Sequence, residues 1–428
     1  MASILIKGGR VVSPEDQLDG ELDIRIEDGV IREIGPSLGG GADETLDARG
    51  NVVAPGFVDI HVHFREPGGE ISETLETGLA AAVAGGFTAV STMPNTRPVI
   101  DRPELVRSQI EKARSFGLAR LFPVAAVSLA SQGESLTDVA ALVAAGAVAF
   151  SDDGRPVRTA GLLRSAFEQT RGLGVPINDH CEDPSLSAGG VMNEGPVAAQ
   201  LGLRGIPNSS EDVCVARDLV MAEATGGRLH IAHLSTARSL DMVRQAKRRG
   251  VRVTCEVTPH HFALTDEAVL TYGANAKMNP PLRSAPDVAA IRAGIADGTV
   301  DAIATDHAPH APELKARPLG ADAPFGVIGL ETALGLGLTE LVHSGLVSLW
   351  HLVSLLSANP ARIINQPLGR LQVGGAADIT GFDPNLEWTY RAADGRSKSR
   401  NSPFDGRTFR GAVTTTMVAG RIVYRRGM

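Results

Sequence analysis

A chain of 428 residues, 43% hydrophobic and 21% charged, has the composition of a globular protein, with length enough for one large core and a smaller one or for two or three ordinary domains. Its net charge of −8 at pH 7, with no basic block, argues against a nucleic-acid partner. Three well-separated cysteines, Cys181, Cys214 and Cys255, argue against a disulfide scaffold or a thiolate zinc site and suit a reducing compartment.

The first residues, "MASILIKGGRVV", reach Lys7 and Arg10 before a signal-peptide core could form. No apolar run approaches the roughly 18–20 residues of a membrane span, so a soluble cytoplasmic protein without a membrane partner is expected. "LDIRIEDGVIREIG" alternates apolar and polar residues around an Asp-Gly turn, which is a hairpin signal. The far end, "GRLQVGGAADITGFD" and "FRGAVTTTMVAGRIVYRRG", has the same strand-like texture. Neither end carries enough apolar residues for its own core. Residues 1–54 and 366–428 are therefore expected to pair into one small β-sandwich domain built from both termini.

Across residues 55–365 the pattern changes to regular alternation. Eight apolar runs read as strands: "FVDIHVHF", "FTAVSTMP", "LFPVAAVS", "AVAFSDDG", "VPINDHCE", "LHIAHLS", "VRVTCEVTP" and "DAIATDHAP". Most precede a stretch of helical periodicity, such as "TARSLDMVRQAKRRG". Eight strand–helix units predict a (β/α)₈ TIM barrel. A doubly wound open sheet would want a glycine-rich phosphate loop after its first strand, and none is present.

Five of these runs end in histidine or aspartate: His61 and His63, Asp152 and Asp153, His180, His233, and Asp306. Alternate residues of a strand share a face, so His61 and His63 point together. On a barrel the C-terminal strand ends meet at one mouth, where catalysis occurs. Four histidines and two carboxylates suit Zn²⁺, and also Mn²⁺, Co²⁺ or Fe²⁺. Two ions close together would fit this count, with a bridging hydroxide as nucleophile. "LHIAHLS" offers His230 as well as His233, the latter nearer the strand end. His260 and His261 follow a proline and suit a loop role or one supporting the ligands from behind, and Cys181 and Cys255 read as buried packing thiols.

Taken together, "HVHFREPG", "TMPNT", "FSDDG", "NDHCED", "HIAHLST", "EVTPHH", "KMNPPLR" and "ATDHAPH" resemble the bacterial dihydroorotases of type I, in the amidohydrolase superfamily. The resemblance spans essentially the whole chain. It implies a zinc enzyme of pyrimidine (UMP) biosynthesis that interconverts N-carbamoyl-L-aspartate and L-dihydroorotate. It assigns His61 and His63 to the more buried metal and His180 and His233 to the more exposed one. Asp306 becomes the first metal's remaining ligand and the general acid/base. Arg65, Asn95 and His310 fall where the family grips the substrate's free carboxylate, and His63 also borders the substrate. Asn279 and the backbone at Phe325–Gly326 match positions that contact the ring.

Many relatives, hydantoinases and allantoinases among them, carry a carboxylated lysine at the fourth strand end, where this chain has Ser151. The resemblance to the lysine-lacking subgroup gives the bridging task to Asp153, with neighbouring Asp152 as second choice because one residue of register separates them. It implies one or two Zn²⁺ per chain, with Mn²⁺ or Co²⁺ as substitutes. It leaves open a homodimer and a complex with aspartate transcarbamoylase. The proline-rich segment after Asp306 is long, and residues 311–324 are expected to form a lid. The competing expectations are another cyclic amidohydrolase and a catalytically silent scaffold of the same fold.

Overall fold

The computed structural model describes residues 3–320 and 322–427. Met1, Ala2 and Met428, at the ends of the expected composite domain, and Ala321, in the expected lid, lie outside the described residues. The chain opens with β1 (Ile4–Ser13) and β2 (Leu18–Glu27), paired antiparallel, and β3 (Val30–Gly35) continues the meander. The two-residue turn into β3 has Asp28 at φ 52° and Gly29 at φ 77°, both left-handed, as a type I′ hairpin requires. β4 (Glu44–Asp47) and β5 (Val52–Pro55) then both pair with β1 in parallel.

The barrel follows: β6 (Phe57–Val62), β7 (Phe87–Thr92), β8 (Arg120–Ala125), β9 (Ala149–Phe150) and β10 (Ile177–Asp179). A short parallel pair, β11 (Met192–Asn193) with β12 (Gly205–Ile206), ornaments the long connection after β10. β13 (Leu229–Ile231), β14 (Val253–Val257) and β15 (Ala302–Ile303) complete the parallel sheet, in the order β6-β7-β8-β9-β10-β13-β14-β15. A parallel bridge between Val62 and His307 closes it into a barrel. Helices cover the outside, from Leu75–Ala84 after β6 to Leu349–Leu356 after β15. Strands covered on both faces bury both sets of side chains, which is why these runs read as nearly continuous apolar stretches in the sequence.

β16 (Ile379–Thr389), β17 (Thr408–Val418) and β18 (Arg421–Arg425) return to the N-terminal strands, β16 pairing antiparallel with β5 and β17. The two termini therefore share one continuous sheet, ordered β18-β17-β16-β5-β1-β2-β3 with β4 on β1. The sheet bends back on itself: Arg425 of β18 meets Glu44 of β4 at 2.7 Å. Ile4, Ile6, Val11, Ile24, Ile26, Ile379 and Met417 fill the interior so formed. Arg120 of β8 joins this unit to the barrel through a two-point contact with Asp378, at 3.0 and 2.9 Å. Among the described residues no helix is long and apolar enough to cross a membrane.

Candidate active site

Six side chains from five strand ends converge at the barrel mouth. His61 stands in β6 and His63 just beyond it, and both rings face the carboxylates that follow β9 and β15. His63 Nε2 lies 3.0 Å from Asp306 Oδ1 and 3.5 Å from Asp153 Oδ2, and His61 Nε2 lies 3.4 Å from Asp153 Oδ1 and 3.7 Å from Asp306 Oδ1. From the opposite wall His180, after β10, places Nδ1 3.7 Å from Asp153 Oδ1, and His233, after β13, places Nε2 3.8 Å from the same atom. The two rings meet at 2.9 Å. All six residues are buried. Asp152 turns away, accepting from Ser128 N at 3.0 Å and from Ser128 Oγ at 2.5 Å. Ser151, where relatives are expected to carry lysine, accepts from Asp153 N through its Oγ at 3.0 Å.

The backbone is strained where these side chains leave it. Arg65, His233 and Asp306 adopt left-handed φ of 61°, 31° and 47°, which cost non-glycine residues roughly 1–3 kcal/mol each. Packing beneath the site holds them there. Asp59, on the His61 side of β6, accepts from Thr305 N and Oγ1, the latter at 2.6 Å, and so pins the residue before Asp306. After β13, Thr236 caps the helix Ala237–Arg248 by accepting from Ser239 N, fixing the turn that carries His233.

Glu256 in β14 organises the buried side of the cluster. Its Oε1 lies 2.6 Å from His61 Nδ1 and its Oε2 lies 3.1 Å from His230 Nε2. A carboxylate on Nδ1 turns His61 Nε2 toward the cavity, the arrangement that orients a metal-ligating histidine. His230 is thereby a supporting residue, and His233 is the one at the mouth. His261 ties its loop together, with Nε2 3.0 Å from Pro280 O. Glu182 performs the analogous service for His180, with Oε2 2.9 Å from His180 Nε2 and Asn279 Nδ2 donating to it at 2.5 Å.

The donor set fits a divalent cation. His61, His63 and Asp306 form one group whose ligand atoms lie within 4.8 Å of one another, and His61, Asp153 and His233 form a second. His61 Nε2, Asp153 Oδ1 and His233 Nδ1 are buried and have no hydrogen-bond partner among the described residues. Buried polar atoms left without a partner are costly, and a cation held by this cluster would satisfy His61 Nε2 and Asp153 Oδ1, which lie 3.4 Å apart. Burial opposes charge throughout, yet Glu256 and then Asp153 hold His61 well above its ordinary value, and the facing histidines hold Asp153 and Asp306 well below theirs. Another buried group, Asp179, Cys181, Cys214 and Asp218, lies behind His180. There Arg217 supplies the positive charge, 2.7 Å from Asp218 and 3.2 Å from Asp179. Replacing Glu256 with Gln is expected to weaken metal retention about 10–100-fold. Competition against a chromophoric chelator measures this, and unchanged retention would remove Glu256 from the metal-supporting role.

Around the cluster stand the remaining expected residues. Arg65 is held by Nε donating to Pro309 O at 3.1 Å, with Nη2 3.4 Å from His310 Nε2. Burial pushes its guanidinium down to about 10, which leaves it charged at neutral pH. Burial and then Arg65 push His310 down to about 3, so its imidazole is neutral, and its Nε2 contacts Phe325 O at 2.7 Å. Arg65 is therefore a fixed positive charge on this side of the mouth. Asn95, expected at a substrate carboxylate, lies with Oδ1 3.0 Å from His63 Nδ1 and directs Nδ2 to Asp153 at 3.4 Å. Gly326 donates its N–H to Lys277 O at 2.9 Å. In the expected lid, the buried Lys315 Nζ donates to Ala274 O, Lys277 O and Pro324 O at 2.7, 3.2 and 3.0 Å, tying that segment down.

Glu256, Asp59 and Glu182 are the supporting residues that motif reading passes over. The first two carried a signal: each is a carboxylate inside a buried, otherwise apolar strand run, where an unpaired charge is too costly to keep.

Residues 50–239 match a family model described as dihydro-orotase-like. The chain is 51% identical over 425 residues to a dihydroorotase of Pelobacter propionicus, covering 99% of this chain and 100% of that one. It is 52% identical over 420 residues to a dihydroorotase of Pelotomaculum thermopropionicum, covering 98% of each. Among solved structures, an L-hydantoinase (dihydropyrimidinase) from Arthrobacter aurescens aligns with a TM-score of 0.89 at 28% identity, over 100% of this chain and 97% of its own. A dihydropyrimidinase from Brevibacillus agri aligns at 0.82 with 21% identity, over 99% and 95%, a likeness of fold alone.

Proposed function

Because the chain belongs to the dihydroorotase family, we propose that it catalyses the reversible cyclisation of N-carbamoyl-L-aspartate to L-dihydroorotate at the mouth described above. The observation that carries this reading is the juxtaposition of a four-histidine, two-carboxylate cluster with Arg65, whose guanidinium is held by Pro309 O and His310 and makes no close ion pair among the described residues. His61, His63 and Asp306 would hold one Zn²⁺, His180 and His233 a second, and Asp153 would lie between them; Mn²⁺ or Co²⁺ suits the same donors. When bound, such an ion supplies Lewis acidity that polarises a carbonyl and acidifies water.

The chain's own residues move the proton. In ring opening, Asp306, ionised at neutral pH, accepts the proton of the attacking water and delivers it to the departing ring nitrogen. In ring closure it takes the proton from the carbamoyl nitrogen that attacks the carbon of the protonated carboxyl group and returns it to the departing hydroxyl, which leaves as water. His63, 3.0 Å from Asp306, orients that carboxylate. Asn279 and the Phe325–Gly326 backbone border the ring, and burial of the whole cluster keeps bulk water from competing.

Arg65, with His310 and Asn95 beside it, selects the substrate by its charge: dihydroorotate bears a carboxylate that hydantoin and dihydrouracil lack, and a guanidinium fork matches it. Loss of a charge-assisted contact costs about 2–3 kcal/mol. Arg65→Met is thus expected to raise KM for dihydroorotate roughly 30- to 150-fold with a small change in melting temperature. Steady-state kinetics decide this, and wild-type KM in the variant would discard the carboxylate clamp. A hydantoinase-like activity is the second reading, favoured only by the structural likeness at 28% identity. It provides no reason for a charged group at Arg65.

A further inference from the structure

Residues 396–402 lie in the connection between β16 and β17, which belong to the composite sheet, yet they are bound to the barrel mouth. Lys398 N donates to Glu73 Oε1 at 3.0 Å, and Ser399 Oγ donates to Ser72 O at 2.7 Å. Asn401 goes deepest. It is buried, its Nδ2 donates to Ala308 O at 3.0 Å and to Gly326 O at 3.1 Å, and its Oδ1 accepts from His310 N at 3.1 Å. Its own carbonyl accepts from Ile328 N at 2.9 Å. One amide side chain therefore uses both N–H donors and its oxygen to join the loop that follows Asp306 to the loop that carries Phe325 and Gly326.

The join is tight. Gly326 sits at φ 126°, and a Cβ there would fall 2.6 Å from Ala308 Cβ and 3.1 Å from His310 Nε2. Neither loop can therefore settle closer if the amide is removed; an opening is the available response. His310 N, Ala308 O and Gly326 O would then be left buried without this partner.

We propose that Asn401 is a positioning residue that holds His310 and the Phe325–Gly326 backbone in register with Arg65, and so sets the preference for a ring substrate bearing a free carboxylate. The inference rests on the dihydroorotase reading of the same site. It assigns a part of substrate selection to the composite domain, through a residue that touches no reacting atom. Displacement of positioning groups by about 1 Å is enough to cost orders of magnitude in productive binding.

The test is steady-state kinetics of Asn401→Ala and Asn401→Asp, with L-dihydroorotate and dihydrouracil as probes. Asn401→Ala is expected to raise KM for dihydroorotate about tenfold or more while kcat stays within about threefold, and to narrow the preference over dihydrouracil. Asn401→Asp keeps the acceptor for His310 N and the side-chain shape, so it carries the same readout if the alanine variant does not fold. Its second carboxylate oxygen would face Ala308 O and Gly326 O, to which Nδ2 now donates at 3.0 and 3.1 Å, so its KM should rise by at least as much. Unchanged KM, or a loss confined to kcat and to the yield of folded protein, would overturn the inference and leave Asn401 a merely structural residue. Wild-type protein inactive on dihydroorotate would instead fail the functional reading, which separates the two.

Discussion

Asp306→Asn is expected to lower kcat for L-dihydroorotate about 10³-fold while the protein remains folded, the scale of a lost general acid/base. Asparagine keeps the shape of aspartate and can still meet His63 Nε2, 3.0 Å from the wild-type Oδ1, through its amide oxygen. It keeps the left-handed backbone too, since Asn tolerates the φ of 47° that Asp306 adopts. What it cannot do is accept and return a proton. Asp306 is also a proposed metal ligand, so metal content must be read on the same sample. Metal retained with turnover lost assigns the defect to proton transfer. Activity within tenfold of wild type would sink the assignment.

Stripping divalent metal with a chelator is the second large effect: turnover should disappear and the circular dichroism should not change. The six cluster residues lie at the mouth, whereas the main core is formed by residues such as Phe57, Phe87, Phe150, Phe167 and Leu240, which need no ion to pack. Added Zn²⁺ at a hundred times its Kd should restore activity and stabilise the fold by about 2.7 kcal/mol. The pH dependence has a definite sign. Metal uptake requires neutral imidazole, so it releases protons from any histidine that is charged in the metal-free chain. Burial opposes that charge at His180, but Glu182 and then Asp153 outweigh it and raise the ring to about 9. Metal affinity should therefore keep climbing as pH rises from 6 toward about 9, rather than levelling near the ordinary histidine value. Unchanged turnover after complete removal of metal would reject the metal-dependent account.

Much of this site is legible in the sequence, because a barrel converts strand-end position into proximity. All eight apolar runs became barrel strands, and His61, His63, Asp153, His180, His233 and Asp306 meet although they are scattered from β6 to β15. Register was the weak point. Asp152 and Asp153 differ by one residue, and only the bond from Ser128 shows which carboxylate turns outward. Asn95 occupies the mouth as expected, but its amide faces His63 and Asp153, which no spacing rule could reveal. The composite sheet was foreseen as a pairing of both ends. That β4 and β5 run parallel to β1, and that a single sheet bends over its own core, depends on long-range hydrogen bonds with no local sequence signature. Asn401 is the extreme case: it sits in a polar stretch with no periodicity, and its significance comes wholly from the loops it reaches.

Hydrolysis of L-dihydroorotate by the purified, zinc-loaded protein tests the central claim most directly. It would be followed at the amide absorbance, with and without an aspartate transcarbamoylase subunit, with hydantoin and allantoin in parallel and metal content determined on the same sample. Turnover of dihydroorotate alone, with one or two metal ions bound per chain, is the expected result. Turnover of only the uncharged rings, or bound metal with silence toward all three substrates under both conditions, would contradict it.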